Sequence, residues 1–461
     1  VRYILVSHTH WDREWYRTFQ AFRARLIDTV DRALDLIAED PGYRFLLDGQ
    51  AVIIEDYLEI RPSRRAELEE AVRGGRMAIG PWYVQPDSLI PSGEAHVRNL
   101  LEGRLVATGV GPVSKVAYTP DSFGHPAQFP QLFVGFGFSA FVYWRGNGNE
   151  IDSLPSEYLW AAPNGSEILA CHLFKGYGNA AALPADPVDA VLRILPATKE
   201  LESRTRSERV LLMNGSDHLL PDSNVGAVAN ELAAASGAEV TRGLLEDFVE
   251  GIDVDLPRFS GELIGGRVAN LLPGVWSTRT PIKLRNRSCE SVLEGWAEPW
   301  SALAARLGGP DERPALRAAW RALLQNQAHD SICGCSQDRV HEQMEARFDE
   351  AEELALETTT RMLERIAGLG PERRAPWEDS VEIAVFNPSP HTRTDVVRLP
   401  LDAHPPFASG GENEIRIHPL VAQNLRPEGF TVDGRPVRIY PAGEGRRLRL
   451  VPDQNDWEIE F

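Results

Sequence analysis

Five short β-rich runs, each followed at once by a cluster of polar and aromatic residues, constrain this chain more than any other feature. Tyr3–Val6 leads into Ser7-His8-Thr9-His10-Trp11-Asp12, and Met77–Ile79 leads into Pro81-Trp82-Tyr83-Val84-Gln85-Pro86-Asp87. Lys115–Thr119 precedes Pro120-Asp121-Ser122-Phe123-Gly124-His125, Ala140–Trp144 precedes Arg145-Gly146-Asn147, and Val210–Met213 precedes Asn214-Gly215-Ser216-Asp217-His218. Helix-length segments separate most of these runs. Strands that alternate with helices form parallel βαβ units, so the expected class is α/β. In such folds ligands bind where the carboxyl ends of the strands converge. Five strand ends rich in His, Asp, Arg and Trp therefore describe one polar pocket.

Phe45–Leu47 is a further strand, and Glu14 to Ala38 reads as a long amphipathic helix. Leu159–Ala161 and Ile168–Ala170 flank Asn164-Gly165, a hairpin signal set into the series. From about Thr278 to Gly368 Ala, Leu, Glu and Arg dominate, with breaks near Gly308-Gly309-Pro310 and Gly334, which predicts a helical bundle. Beyond Pro376 the runs Val381–Phe386, Thr394–Leu399 and Val437–Tyr440 predict the start of an all-β domain. The expected division is a catalytic α/β domain over 1–255, a linker and bundle over 256–375, and an incomplete β-rich domain over 376–461.

The charge balance excludes some functions. Lys plus Arg is 48 and Asp plus Glu is 67, a net −19, without the basic face that a phosphate-tracking nucleic-acid binder needs. The apolar runs are far shorter than the roughly 20 residues of a membrane span, and no signal-peptide pattern opens the chain. Four cysteines in 461 residues do not make a disulfide framework, and the Cys333-Gly334-Cys335 pair lacks the second pair of a zinc ribbon. Reduced thiols and a cytoplasmic location are expected.

His10 and Asp12 are alternate residues on an extended stretch, so both can face one metal ion, and zinc accepts such mixed N/O ligation. His8 competes with His10 for that role. Taken singly, Asp121 and Asp217 read as helix caps; as a pair across a pocket they read as the two carboxylates of a glycosidase or as two metal ligands. His329-Asp330 ends a helix-like run and reaches the pocket only if the bundle packs over the strand ends. Trp11, Trp15 and Trp82 suit stacking on a sugar face, or plain core packing. Arg145 pairs with a site carboxylate, holds an anionic substrate, or makes a structural ion pair.

His8-Thr9-His10-Trp11-Asp12-Arg13-Glu14-Trp15-Tyr16, Leu47-Asp48-Gly49-Gln50, Gly80-Pro81-Trp82-Tyr83, Pro120-Asp121-Ser122-Phe123-Gly124 and Ala328-His329-Asp330-Ser331 occur in this order. This series resembles glycoside hydrolase family 38, the retaining α-mannosidases. Asn214-Gly215-Ser216-Asp217 is closer to the bacterial branch that includes mannosylglycerate hydrolases. The resemblance runs from Tyr3 to about Gly368. It implies a barrel-like domain of seven parallel strands, a helical bundle and following β domains. It also implies one zinc ion on His10, Asp12, Asp121 and His329, with Asp121 as nucleophile and Asp217 as acid/base. Trp15, Phe123, Arg145 and Asp330 match positions that line the family's mannose site, and Trp82 joins them as a substrate-binding candidate. A homodimer is likewise implied.

The expected activity is zinc-dependent, retaining hydrolysis of terminal α-mannosides, with mannosylglycerate or small mannosides as substrates. Two rivals stand beside it. A metal-dependent deacetylase or amidohydrolase uses similar ligands on a similar barrel. A non-catalytic mannose-binding protein needs no acid at Asp217.

Overall fold

The computed structural model describes residues 1–368, 384–387 and 389–392, and the short strand segments 430–432, 435–437, 440–441 and 459–460. Residues 1–297 and 312–358 form one compact unit; 298–311 belongs with the chain from 359 onward.

Ten strands precede the helical region: β1 (Arg2–Thr9), β2 (Phe45–Leu47), β3 (Met77–Ala78), β4 (Val116–Thr119), β5 (Ala140–Tyr143), β6 (Glu157–Ala161), β7 (Glu167–His172), β8 (Arg209–Asn214), β9 (Glu239–Arg242) and β10 (Arg258–Ser260). They pair into two five-stranded sheets. In the first, wholly parallel, β1 lies between β8 on one side and β2 and β9 on the other, with β3 beyond β2. The second runs β10-β6-β7-β5-β4 and is mixed, because β6 and β7 are antiparallel. Their turn is the Asn164-Gly165 hairpin, where Gly165 adopts φ +86° and Ser166 N–H donates to Asn164 Oδ1.

The expected α/β class holds; of the expected barrel-like set of seven parallel strands, these pairs form one parallel and one mixed sheet, and among the described residues no ring of strand pairs joins the two. They nevertheless share a core. Ile4 and Val6 of β1, Leu46 of β2, Val116 of β4, Val142 of β5, Cys171 of β7 and Met213 of β8 belong to one buried cluster. Alternate residues of strands from both sheets thus face inward, as a period of two requires. The strands β9 and β10 escaped the sequence reading because they are short and polar, with exposed or half-buried side chains.

The first long helix starts at Phe19 rather than Glu14 and runs to Glu39, with Phe22, Leu26, Val30, Ala33 and Ile37 buried on one stripe. Glu14 is withheld from it because its buried carboxylate takes a hydrogen bond from Ser331 Oγ at 2.8 Å and pairs with Arg347. Helices Thr280–Val292 and Arg313–Asn326, with the start of Asp338–Ile366, pack in the same unit as the sheets. They are tied to the strand ends: His329 N–H donates to Gln85 O at 2.9 Å, and Ser92 N–H to Glu290 Oε1 at 2.8 Å.

Of the expected C-terminal strands, Thr394–Leu399 lies outside the described residues, as do the first three residues of Val381–Phe386, whose last three form no strand, and two residues of Val437–Tyr440. Phe430–Val432 pairs antiparallel with Arg435–Val437. No helix among the described residues is long and apolar enough to cross a membrane.

Candidate active site

Beyond the ends of β1 and β8 the two chains stay in register. His10 N–H donates to Ser216 O and His218 N–H to His10 O, which sets Asp217 beside His10. Gly215 makes this approach feasible: a β-carbon there would lie 1.9 Å from His8 O. The imidazole of His8 turns to Tyr177 O at 2.7 Å. His10, not His8, therefore joins the cluster.

His10, Asp121 and His329 bring ligand atoms within 4.8 Å of one another. Asp12 Oδ1 lies 3.1 Å from His10 Nε2 and 3.3 Å from His329 Nε2, and Asp121 Oδ2 is 3.8 Å from His329 Nε2. Ligand atoms at zinc–nitrogen and zinc–oxygen bond lengths on a tetrahedron stand about 3.3 Å apart. His10 Nε2, Asp12 Oδ1 and His329 Nε2 are buried and lack a hydrogen-bond partner. Such an orphaned atom costs about 1–3 kcal/mol, so three converging on one point fit a site built for a cation.

The outer contacts orient these ligands. His329 Nδ1 faces Gln85 O at 3.1 Å, which directs Nε2 inward. Asp48 Oδ2 lies 3.5 Å from His10 Nδ1 and is itself held by the N–H groups of Trp11 and Gln50, the usual support for a metal-binding imidazole. Burial opposes charge on His10, yet Asp12 and Asp48 outweigh it and raise its pKa well above the ordinary value. Burial likewise lowers His329, but Asp330 and Asp12 carry it to about 9. Burial raises Asp12, and His10 with His329 reverse this and hold it well below the carboxylate range. The carboxylates thus draw positive charge onto the imidazoles, charge that a divalent cation supplies when bound.

Asp121 is pushed up by burial while Arg145 opposes the shift; Arg145 Nε donates to Asp121 Oδ1 at 2.7 Å. Asp217 Oδ1 accepts the Tyr177 hydroxyl at 2.8 Å. Neither aspartate is a cap, since the N-cap positions of the following helices are Gln128 and Asn224. Asp330 Oδ2 is 3.9 Å from His329 Nε2, and Phe123 meets the His329 ring edge-on at 5.8 Å. His329-Asp330 opens a four-residue helix instead of ending the previous one, which stops at Asn326. Trp15 is half-buried against Tyr16. Trp82 is elsewhere: its ring is 0% exposed among His96, Phe129 and Phe133, so it is a core residue and not a sugar platform. Trp11 packs on Phe22 in the core as well. Asp48 and Tyr177, which follow β2 and β7, received no role from the sequence, although both lie beyond strand ends.

The "Glycosyl hydrolases family 38 N-terminal domain" profile matches residues 1–262, more than half the chain, and the "Alpha mannosidase middle domain" profile matches 270–366. The chain belongs to glycoside hydrolase family 38. Among its relatives in that family, a "Putative mannosylglycerate hydrolase" of Halalkalibacterium halodurans is 34% identical over 76% of this chain and 41% of its own length. Human "Alpha-mannosidase 2C1" is 27% identical over 75% of this chain and 33% of its own. The crystal structure of an α-mannosidase from Enterococcus faecalis V583 superposes with TM-score 0.84 at 28% identity, covering 100% of this chain and 53% of that one. The chain thus spans about half, or less, of the family members it matches.

Proposed function

We propose that this chain carries the catalytic centre of a retaining α-mannosidase that holds one zinc ion on His10, Asp12, Asp121 and His329. The observation that carries the reading is the division of labour between two aspartates. Asp121 lies in the group of ligand atoms, whereas Asp217 stands outside it on the Tyr177 hydroxyl. When bound, zinc supplies a Lewis-acid contact for ring hydroxyls, and the cis pair at positions 2 and 3 of mannose offers it a good bite.

Asp121 attacks the anomeric carbon as Asp217 passes its proton to the departing glycosidic oxygen. Asp217, now a carboxylate, takes a proton from water, whose oxygen attacks the same carbon and frees Asp121. Arg145 orients the Asp121 carboxylate through the oxygen it binds, and Tyr177 orients Asp217. Trp15, Phe123 and Asp330 line the sugar site in this reading. The relatives' names favour terminal α-mannosides, mannosylglycerate among them. Four free cysteines support a reducing, cytoplasmic setting.

The test is the anomer released first from nitrophenyl α-mannoside, followed by proton NMR. α-Mannose appearing before mutarotation supports the reading. β-Mannose first contradicts retention, and no release supports a protein that only binds mannose.

A further inference from the structure

Asp330 faces two ways. Its Oδ2 points toward His329, while its Oδ1 accepts a hydrogen bond from Cys335 Sγ at 2.9 Å. Cys335 Sγ is 3.2 Å from Cys333 Sγ, and the three ligand atoms fall within 4.8 Å of one another. We propose that Asp330, Cys333 and Cys335 form a second metal site, one that takes a thiophilic divalent ion such as Zn2+ or Cd2+ and, through Asp330, opposes mannoside binding. The opposition to substrate rests on the reading of Asp330 as a sugar-contacting residue; the metal site does not.

The spacing favours an ion over a disulfide. Zinc-bound sulfurs on a tetrahedron stand about 3.8 Å apart, and a sulfur and an oxygen about 3.5 Å. The Cys333–Cys335 and Cys335–Asp330 pairs therefore each open by about 0.6 Å to admit the ion, a small side-chain rotation. A disulfide requires the sulfurs to close by about 1.1 Å.

The turn that carries the thiols is held in place before any ion arrives. Arg279 Nε donates to Gly334 O at 3.0 Å, and Lys283 Nζ donates to the carbonyl oxygens of Ile332 and Cys333, each at 3.1 Å. Gly334 has φ +87°, and a β-carbon there would meet the Thr278 methyl at 2.8 Å. Ser336 Oγ donates to Asp330 O at 2.9 Å, which fixes the carboxylate's backbone. Cys335 is exposed, which provides the entry path, and Cys333 is buried behind it. On binding, the two thiol protons leave to solvent as the metal–sulfur bonds form. Cys171 and Cys289 lie in separate apolar clusters, so a two-thiolate signal belongs to this site.

Cadmium reports it directly. With the protein kept reduced by a phosphine, titration with Cd2+ is expected to raise a thiolate-to-cadmium charge-transfer band that saturates at a single ion per chain. C333S and C335S are each expected to lose the band. Hydrolysis of nitrophenyl α-mannoside should fall as the band grows, and the fractional fall, measured against each variant's own starting rate, should vanish in C335S. No band in the parent protein, or a band that survives C335S, overturns the site. Loss of both free thiols with no bound metal means that a disulfide forms instead and overturns it too. A full band with undiminished hydrolysis overturns the coupling through Asp330. If the protein releases no mannose at all, the functional reading fails, and the cadmium band still decides the site.

Discussion

Nε2 of His10 lies 3.1 Å from Oδ1 of Asp12, both atoms are buried, and neither makes a hydrogen bond. A folded chain keeps two such atoms together only if something else satisfies them. His329 Nε2 lies 3.3 Å from the same Asp12 oxygen and 3.8 Å from Asp121 Oδ2, so a cation is the simplest occupant.

Asp48 tests the metal site without removing a ligand. Its carboxylate faces His10 Nδ1 at 3.5 Å, and Gln85 and Gln50 hold it there. Asp48→Asn keeps the shape and weakens the support for the imidazole, so zinc affinity should fall about 10–100-fold. Competition against a chelator of known strength measures it. An unchanged affinity would place the metal elsewhere.

Asp217→Asn should split substrates by leaving group. Dinitrophenyl mannoside needs no proton and should still form the glycosyl-enzyme, whereas mannobiose hydrolysis should fall about 100–10,000-fold. Breakdown of the intermediate should be slow, and azide should speed it by supplying a nucleophile that needs no deprotonation. Tyr177→Phe, which removes the hydroxyl on Asp217, should lower kcat on mannobiose more than on the activated substrate. Equal losses on both would make Tyr177 a packing residue only.

The strand-end loops were legible because their residues are local. His10, Asp12, Asp121, Arg145 and Asp217 each follow a β-rich run, and parallel packing brings such ends together. His329 was legible only through the family resemblance. It comes from a separate helical region, and its place depends on the long-range bond from its N–H to Gln85 O. Trp82 misled for the opposite reason. A tryptophan beside polar residues looks like a sugar platform, yet Phe129 and Phe133 arrive from a distant helix and bury it. The β6–β7 hairpin was legible at Asn164-Gly165, but the partners that its strands take in the second sheet are long-range and leave no mark on the hydrophobic period.

Gly215→Ala should be costly although it adds one methyl group. The new β-carbon would lie 1.9 Å from His8 O, against backbone that holds the β1–β8 register. Overpacking of this kind costs about 1–3 kcal/mol or more. Denaturant unfolding should show the loss, together with weakened activity because Asp217 shifts. A variant as stable as the parent would mean that the loop is looser than the structure shows.

Stability should also fall on the acid side. Burial depresses the pKa of His125 and His172 to about 3 and of His96 to about 4. In the unfolded chain each takes up a proton below about 6.5, so the unfolded state binds more protons there. The contribution is complete above that value and is lost as pH falls toward the folded values, by up to about 1.4 kcal/mol per pH unit for each histidine. Urea unfolding between about pH 7 and about pH 5, above most carboxylate titration, should show a steep decline. A flat profile would contradict the buried, neutral assignment.

The central claim is that Asp121 forms the covalent bond to mannose. A fluorinated mannosyl fluoride, which slows breakdown of the intermediate more than its formation, should inactivate the protein, and mass spectrometry of its peptides should find one mannosyl group on Asp121. Chelation of the metal beforehand should prevent labelling. A label on any other carboxylate, or continued turnover through a mechanism that never labels the protein, would contradict the account.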